Sequence, residues 1–290
     1  MALKQVIRIA IRHFIGARPE EPIRDAIRRR EIDRGKRRDS FVYDSQDILH
    51  ALRWMGVTQG DILIVHCAWR SLYNYKDGTP ESLIKVLRMA IGPEGTLVMP
   101  SYGFEKNVFD LKNTPSNAGV LSEVFRRLPG VIRSEIPHFA LAAAGPAAQE
   151  IFCESLDCKY GFDSHSPYRK AAQMGAKVLL VGLGGRTAKI SAFHLAGWDA
   201  RGRIARYANV WGEEKTCRVV REDGSSVERA YYPKRPGVRN NNRVFREIFK
   251  AVPKQCTCLG RMDLTLFSAF EAEEVCLEEI EHGKSLYKGI

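Results

Sequence analysis

The sequence lacks a long hydrophobic run. Its 290 residues are 44% hydrophobic and 27% charged, but no apolar segment approaches the roughly 18 to 20 residues that a membrane-spanning helix needs. The N-terminus has neither the apolar core nor the small-residue cleavage site of a secretory signal peptide. The composition excludes a disordered or fibrous chain, and we expect a globular protein that is made and kept in the cytoplasm.

Several signatures of catalysis and metal binding are also absent from the sequence. It contains no Walker phosphate loop, no GxGxxG after a predicted strand, no GxSxG elbow and no HExxH motif. Its seven cysteines are scattered, without the spacing of a zinc site or of a disulfide framework. The sequence therefore predicts free thiols and no metal site, and it excludes the most easily recognised enzyme classes.

Positive charge is concentrated at the N-terminus. Residues 1–40 hold 12 Lys and Arg against 6 Asp and Glu, which is more than half of the net charge of +11. Apolar residues recur there with helical spacing, at Leu3, Val6, Ile7, Ala10 and Phe14. We predict a basic helical arm over residues 1–43. For the amphipathic helix, packing on the body or on a dimer partner is favoured over contact with an anionic membrane. For the arginine-rich stretch 24–38, a solvated face is favoured over nucleic-acid binding.

Residues 44–290 alternate between helical and strand patterns and are predicted to form a single domain. Apolar strands are predicted at 62–65, 96–99, 139–144 and 177–181, with helices between them. Two β-prone stretches, 217–220 and 227–232, flank an Asp-Gly turn and predict a C-terminal β-hairpin region. The fold class is therefore α/β, with a central, largely buried sheet and helices on both faces.

Two histidines are candidates for chemistry. His66 ends the first predicted strand, at the edge where α/β sheets bind ligands, and His194 follows the strand 177–181 and its glycine-rich turn. A neutral imidazole can take a proton from an attacking amine or hydroxyl if another group orients its second nitrogen. Asp199 and Asp110 are the candidate orienting carboxylates. The alternative for each histidine is a buried, hydrogen-bonded structural role.

A series of short motifs runs in order from about residue 44 to 210. The motifs are Asp61-Ile62-Leu63-Ile64-Val65-His66, Gly92-Pro93-Glu94-Gly95-Thr96-Leu97-Val98-Met99-Pro100, Phe109-Asp110, Thr114-Pro115-Ser116, Arg133-Ser134, Ser166-Pro167 and the strand from Val178 to Gly182. In these motifs the sequence resembles the aminoglycoside 3-N-acetyltransferase family, whose members move an acetyl group from acetyl-CoA to an amine of a sugar-like acceptor. The resemblance implies an acetyl-CoA-dependent N-acyltransferase.

The resemblance also implies the catalytic residues. The family's catalytic histidine lies in a Thr-x-x-His-x-Ala-Glu pattern, which falls on Ser191, His194, Ala196 and Gly197. His194 is therefore the expected general base. Glycine replaces the glutamate of the pattern, so the role of the carboxylate is expected to pass to Asp199 or Asp110.

The resemblance implies a coenzyme A site around the family's His-Ser-Ser loop, which reads His66-Cys67-Ala68 here. The residues expected at this site are His66, Cys67, Ala68, Arg70, Ser71, Met99, Ser101, Arg133 and Ser166. Basic side chains placed to meet the phosphates are Arg70, Lys76, Arg126, Arg133 and Arg186. Backbone amides of residues 66–68 and 182–185 are the expected donors to the thioester oxygen.

The charge of the chain bears on the acceptor that receives the acetyl group. Aminoglycosides are polycations and this chain is basic, which favours an anionic acceptor such as a nucleotide-linked amino-sugar of surface polysaccharide synthesis. The alternative is a non-catalytic family member that binds a CoA-like or sugar ligand or a protein partner. A homodimer is expected, and the arm offers a contact with a membrane surface.

Overall fold

The computed structural model describes residues 2–18, 20–103, 107–184 and 190–290, and it contains a mixed central sheet of seven strands. In spatial order the strands are β10 (Gln255–Leu259), β11 (Met262–Ser268), β6 (Lys177–Val181), β1 (Ile62–Cys67), β2 (Thr96–Pro100), β5 (Leu141–Ala144) and β4 (Ile132–Arg133). Strands β6, β1 and β2 are parallel, and the flanking strands are antiparallel. The carboxyl ends of the three parallel strands therefore meet at one edge.

Helices cover both faces of this sheet. One face carries α3 (Ser45–Trp54), α4 (Pro80–Ile91) and α5 (Val120–Phe125), and the other carries α6 (Ala148–Phe152), α7 (Pro167–Gln173), α8 (Ser191–Asp199), α9 (Asn242–Ala251) and α10 (Ala269–Glu281). Alternate strand residues enter the two cores, since Leu63 lies in one and Ile64 in the other. The predicted fold class is confirmed.

Local sequence signals set the ends of these helices. Asp44 begins α3 by accepting hydrogen bonds from the amides of Gln46 and Asp47. Thr79 caps α4, which has proline at its first position, and Gly92 ends that helix with a φ of 68°. A left-handed conformation of this kind strongly favours glycine.

The predicted β-hairpin is confirmed as β7 (Lys215–Val220) and β8 (Ser226–Tyr231). It joins β3 (Val108–Asp110) in a second, three-stranded sheet. A short pair, β9 (Arg239–Asn240) and β12 (Tyr287–Lys288), fixes the C-terminal segment. The sequence did not predict α9, β10 or β11.

The N-terminal arm consists of α1 (Ala2–Phe14) and α2 (Ile23–Arg38). Arg29 pairs with Glu21 at 3.0 Å, and Arg30 donates to the carbonyl of Phe14 at 2.6 Å, so the two helices form a hairpin. Large apolar side chains of α1 are exposed: Val6 (61%), Ile7 (50%), Ile11 (42%) and Phe14 (82%). These four side chains do not pack on the body of the same chain, and packing of the arm on a dimer partner stays a prediction.

None of the helices within the described ranges combines the length and the apolar composition that crossing a membrane would require.

Candidate active site

A cavity of about 470 Å³ opens where the parallel strands end. The predicted residues His66, Cys67, Ala68 and Arg70 line it, at the end of β1 and directly after it. Leu183, within the predicted segment 182–185, also lines it. The remaining lining residues were not predicted: Trp69, Pro100, Tyr102, Ala118, Gly119, Val120 and Ser122. Tyr102 follows the end of β2, so the rule that ligands bind at the carboxyl ends of parallel strands could have identified it.

The Cys67 thiol lies at this edge but is not an activated nucleophile. Removal of the group from water raises the pKa of Cys67 to about 12. A thiol is nucleophilic only as the thiolate. Cys67 therefore contributes an apolar, protonated wall.

The second candidate histidine lies on α8, next to the same edge. Ser191 begins the helix, and its hydroxyl lies 3.5 Å from Nε2 of His66. His194 follows three residues later, so it lies on the same face of α8 as Ser191. His194 is only 8% exposed, and its imidazole ring contacts the aromatic rings of Phe162, Phe245 and Tyr287.

A tyrosine hydroxyl is hydrogen-bonded to Nδ1 of His194, the nitrogen at which an orienting carboxylate was expected. Oη of Tyr287 lies 2.9 Å from Nδ1. The carboxylate of Asp199 instead pairs with Arg169 at 2.8 Å. Asp110 accepts hydrogen bonds from the backbone and the side chain of Asn113 in a local turn. The expectation that Asp199 or Asp110 orients His194 is therefore corrected, because both carboxylates bind other groups.

Asp199, whose side chain is 31% exposed, belongs to a partly buried ionic cluster that joins α7, α8 and α10. Arg169 of α7 pairs with both Asp199 and Glu273 of α10. Glu273 is 5% exposed. Burial raises the pKa of Glu273 to about 7; the neighbouring Asp199 adds to this effect, and Arg169 opposes it. The cluster holds three helices together and lies outside the lining of the cavity.

Glu273 makes stability depend on pH in a defined direction. Because its pKa of about 7 in the folded protein exceeds the ordinary 4.5, the folded state binds more protons than the unfolded state between those values, and its stability falls as the pH rises through them. Glu273→Gln removes this titration, so we expect a smaller fall in the free energy of unfolding. Urea denaturation of both proteins at about pH 5 and 8 measures the fall in the free energy of unfolding. An equal fall in the wild type and in Glu273→Gln would contradict the raised pKa of Glu273.

Three residues predicted at the coenzyme site have structural roles. The hydroxyl of Ser71 donates to the carbonyl of Gly182 at 2.6 Å. Met99 is fully buried in the core beneath the sheet, and Ser166 caps α7 by accepting from the amide of Arg169 at 3.2 Å. The structure does not bring these three side chains to the lining of the cavity, because the two hydroxyls bond within the protein and Met99 lies in the core.

Arg133 and Ser101 form another structural contact. The Arg133 guanidinium donates to the carbonyls of Ser101 and Leu111, and to that of Thr114 at 2.7 Å. Its guanidinium carbon lies 4.4 Å from the centre of the Phe109 ring. Burial lowers the pKa of Arg133 to about 9. Arg133 therefore holds a loop onto the sheet and does not offer its guanidinium to a phosphate.

The other basic candidates differ in availability. Arg126 is buried and pairs with Glu123 at 2.7 Å. Lys76 is exposed but is not part of the cavity lining. Arg186 lies outside the described residues. Arg70 is exposed and lines the cavity, so it is the basic candidate that the structure brings to this site.

The predicted backbone donors are largely engaged. The amide of Ala68 donates to the carbonyl of Val181 at 2.9 Å. Gly182 and Gly184 donate to the backbone carbonyl and the carboxylate of Asp263, respectively. These three amides are therefore not available to a thioester oxygen or a phosphate, and the prediction is corrected for them. Gly185 lies outside the described residues.

The fold and this edge define an α/β protein with a ligand cavity at the carboxyl ends of its parallel strands, where His66 lines the cavity and α8 carries His194. A family model described as aminoglycoside 3-N-acetyltransferase matches residues 64–278. The chain belongs to the aminoglycoside 3-N-acetyltransferase family.

Curated relatives agree with this assignment. The chain is 42% identical over 147 residues to aminoglycoside N(3)-acetyltransferase IV of Salmonella sp, a match that covers 50% of this chain and 55% of that protein. It is 27% identical over 177 residues to aminoglycoside N(3)-acetyltransferase III of Acinetobacter baumannii, covering 53% and 60%. The matches therefore span little more than half the length of these relatives.

Solved structures extend the likeness over most of the chain. The apoenzyme of aminoglycoside acetyltransferase AAC(3)-IVa has a TM-score of 0.67 at 29% identity and covers 84% of this chain and 90% of that one. A complex of a mutant of the same enzyme with a gentamicin has a TM-score of 0.68 over the same shares, also at 29% identity. A binary complex of AAC-IIIb with CoASH has a TM-score of 0.69 at 21% identity and covers 84% and 99%. At that identity it supports the fold alone.

Proposed function

We propose that this protein transfers the acetyl group of acetyl-CoA to an amine of an aminoglycoside. The observation that carries the proposal is that the hydroxyl of Ser191 lies 3.5 Å from Nε2 of the cavity-lining His66, with His194 three residues further along the same helix. The chain that carries this arrangement belongs to the family. The relatives named above are aminoglycoside acetyltransferases, and one solved relative holds a gentamicin. Aminoglycosides therefore replace the nucleotide-linked amino-sugars that the basic composition had favoured.

The cavity suits the reactive end of acetyl-CoA. Its volume of about 470 Å³ lies within the range of small-molecule sites. Trp69 and Tyr102 supply apolar and aromatic walls, and the exposed guanidinium of Arg70 can form paired hydrogen bonds with a phosphate at the rim. We assign acetyl-CoA to this cavity.

The assigned reaction needs one base. The amine nitrogen forms a bond to the acetyl carbon, the carbon–sulfur bond breaks, and the departing thiolate gains a proton while the amine loses one. His194 takes the proton from the amine and can pass it to the thiolate, as a general base followed by a general acid. His194 lies three residues after Ser191, whose hydroxyl is 3.5 Å from the cavity-lining His66.

A panel of acceptors tests the proposed substrate class. The protein is incubated with acetyl-CoA and gentamicin, apramycin, free amino-sugars or nucleotide-linked amino-sugars, and the products are weighed by mass spectrometry. We expect one added acetyl group on the aminoglycosides. Acetylation of the nucleotide-linked amino-sugars alone would contradict the assignment of the acceptor while preserving the transfer reaction.

A second candidate function is binding without catalysis. The observation in its favour is that Nδ1 of His194 contacts a neutral phenol at 2.9 Å, where a carboxylate would stabilise the imidazolium more strongly. In that case acetyl-CoA binds and no acceptor in the panel gains an acetyl group. Calorimetric titration with acetyl-CoA beside the mass assay separates the two candidates.

We propose further that the N-terminal arm docks on an anionic membrane surface. The exposed apolar side chains of α1 belong to a segment in which 12 basic residues face 6 acidic ones. Apolar side chains enter the boundary of the lipid layer, and basic ones are attracted to anionic headgroups. This combination favours an anionic lipid surface over the arm of a second copy, which carries the same positive charge.

Vesicle sedimentation tests this docking. We expect the protein to bind phosphatidylglycerol vesicles more than phosphatidylcholine vesicles, with binding weakened by salt. Replacing Ile7 and Phe14 by Ser should abolish binding, whereas Phe270→Ser, at an exposed phenylalanine of α10, should not. The docking is contradicted if the protein does not bind anionic vesicles. If, in addition, the wild type is a dimer and the double variant is a monomer, α1 belongs to the expected homodimer interface instead.

A further inference from the structure

We infer that Tyr287 is the positioning residue for His194: its hydroxyl takes the place of a carboxylate at Nδ1 and directs the other ring nitrogen to the reaction. This inference rests on the proposed acetyl transfer, for which His194 is the base. Tyr287 lies nine residues beyond the matched range 64–278 of the family model, and no motif in the sequence indicated it.

The contact between the two side chains is close and sheltered from water. Oη of Tyr287 lies 2.9 Å from Nδ1, and the two rings are nearly parallel, with centres 6.0 Å apart. Tyr287 is 3% exposed and His194 8% exposed. Burial raises the pKa of Tyr287 well above its ordinary value, so the phenol stays neutral. A hydrogen bond in such a site meets little competition from solvent.

The absence of a side chain at residue 197 makes room for this phenol. A Cβ atom added to Gly197 would lie 2.8 Å from Oη of Tyr287 and 3.1 Å from one of its ring carbons. Glycine inside a helix is unfavourable by about 1 kcal/mol relative to alanine. Gly197 lies within α8, one turn after His194, and its lack of a side chain is explained by the tyrosine packed against it.

The C-terminal segment holds Tyr287 in this position. Tyr287 pairs with Asn240 across β12 and β9. The neighbouring amide of Leu286 donates to Oη of Tyr207 at 3.0 Å. On the ring, Nζ of Lys234 lies 4.4 Å from the centre. The phenol is therefore held by contacts of its own backbone and ring and by those of the preceding residue, as preorganisation of a partner group requires.

A hydroxyl suits the proton balance at Nδ1. When Nε2 acts as a base, Nδ1 carries the hydrogen and the phenolic oxygen accepts it. After Nε2 has taken a proton, Nδ1 still donates to the same oxygen. The contact thus persists through the transfer and holds the ring, but it adds no negative charge.

Tyr287→Phe is the direct test, because it removes the hydroxyl and keeps the ring. We expect kcat to fall about tenfold, with the KM values for acetyl-CoA and for gentamicin unchanged. Tyr75→Phe is the matched control: it is another buried tyrosine, whose hydroxyl bonds Ser45 at 2.8 Å on the opposite face of the sheet. That control should keep the wild-type kcat. Equal kcat in the wild type and Tyr287→Phe would overturn the inference.

Gly197→Ala provides a second variant. Its Cβ should push the phenol away from Nδ1 and lower kcat to a similar degree. In the Tyr287→Phe background the same substitution should lower kcat little further, because the hydroxyl it displaces is already gone. Fully additive losses would contradict a shared mechanism.

A measurement without turnover separates this inference from the proposed function. Nitrogen NMR of histidine-labelled protein reports which imidazole nitrogen carries the hydrogen, and the signal of His194 is identified by its absence in His194→Gln. We expect Tyr287→Phe to shift the His194 nitrogens and Tyr75→Phe to leave them unchanged. If acetyl transfer is absent from the wild type but this shift occurs, the proposed function fails and the positioning contact stands. An unshifted His194 overturns the contact.

Discussion

His194→Ala is expected to lower kcat for acetyl transfer by about 10²- to 10⁴-fold, the usual contribution of a general base. The amine must give up its proton as it attacks, and without the imidazole only water can take it. KM for acetyl-CoA should change little, since His194 is not among the residues that line the cavity. Steady-state kinetics with acetyl-CoA and gentamicin measure both constants.

His50→Ala controls for the loss of a histidine as such. His50 is exposed on α3, on the opposite face of the sheet, and its variant should behave as wild type. If His194→Ala kept most of its kcat, the base would have to be another group, and His66, which lines the cavity, would be the next candidate.

Arg169→Met is expected to cost about 3 to 5 kcal/mol of the free energy of unfolding, because it leaves two carboxylates without their cation. Arg169 joins Asp199 of α8 to Glu273 of α10. Near about pH 8, Glu273, with a pKa of about 7, is ionised and the loss should be largest. Below that pKa it is protonated, and the loss should be smaller.

Urea denaturation measures this loss, with Arg243→Met as the control. Arg243 pairs with Glu247 at 2.9 Å on the exposed side of α9, where an ion pair contributes little, so its variant should unfold like the wild type. A loss in Arg169→Met no greater than that of Arg243→Met would show that the cluster does not hold the helices together.

The fold was predictable where local signals agree. Asp44, Thr79 and Gly92 mark helix ends by capping and backbone chemistry. Short apolar runs such as 62–65, bounded by turn residues, favour buried strands. Strand β10 was missed because most of its residues are exposed at the sheet edge, which leaves no hydrophobic alternation to detect. The hairpin of β7 and β8 was found because an Asp-Gly turn lies between its strands.

The site was predictable only in part, because its contacts join distant parts of the chain. His66 could be placed from the end of its strand. Tyr287 is 93 residues from His194, and no spacing rule connects them. Arg133 looked like a phosphate ligand in sequence but is engaged by carbonyls that only the fold brings near it. Residue type and spacing identify candidate side chains, but contacts across the fold determine which of these side chains can still bind a ligand.

The most direct test of the central claim is a single-turnover reaction with enzyme in excess over acetyl-CoA and gentamicin. The appearance of the CoA thiol and of acetylated gentamicin is followed in the same samples. We predict that one thiol appears for each acetylated amine, at the same rate, and that both signals vanish in His194→Ala. Thiol release without an acetylated amine, or no reaction of bound acetyl-CoA with any aminoglycoside, would contradict the assignment as an acetyltransferase.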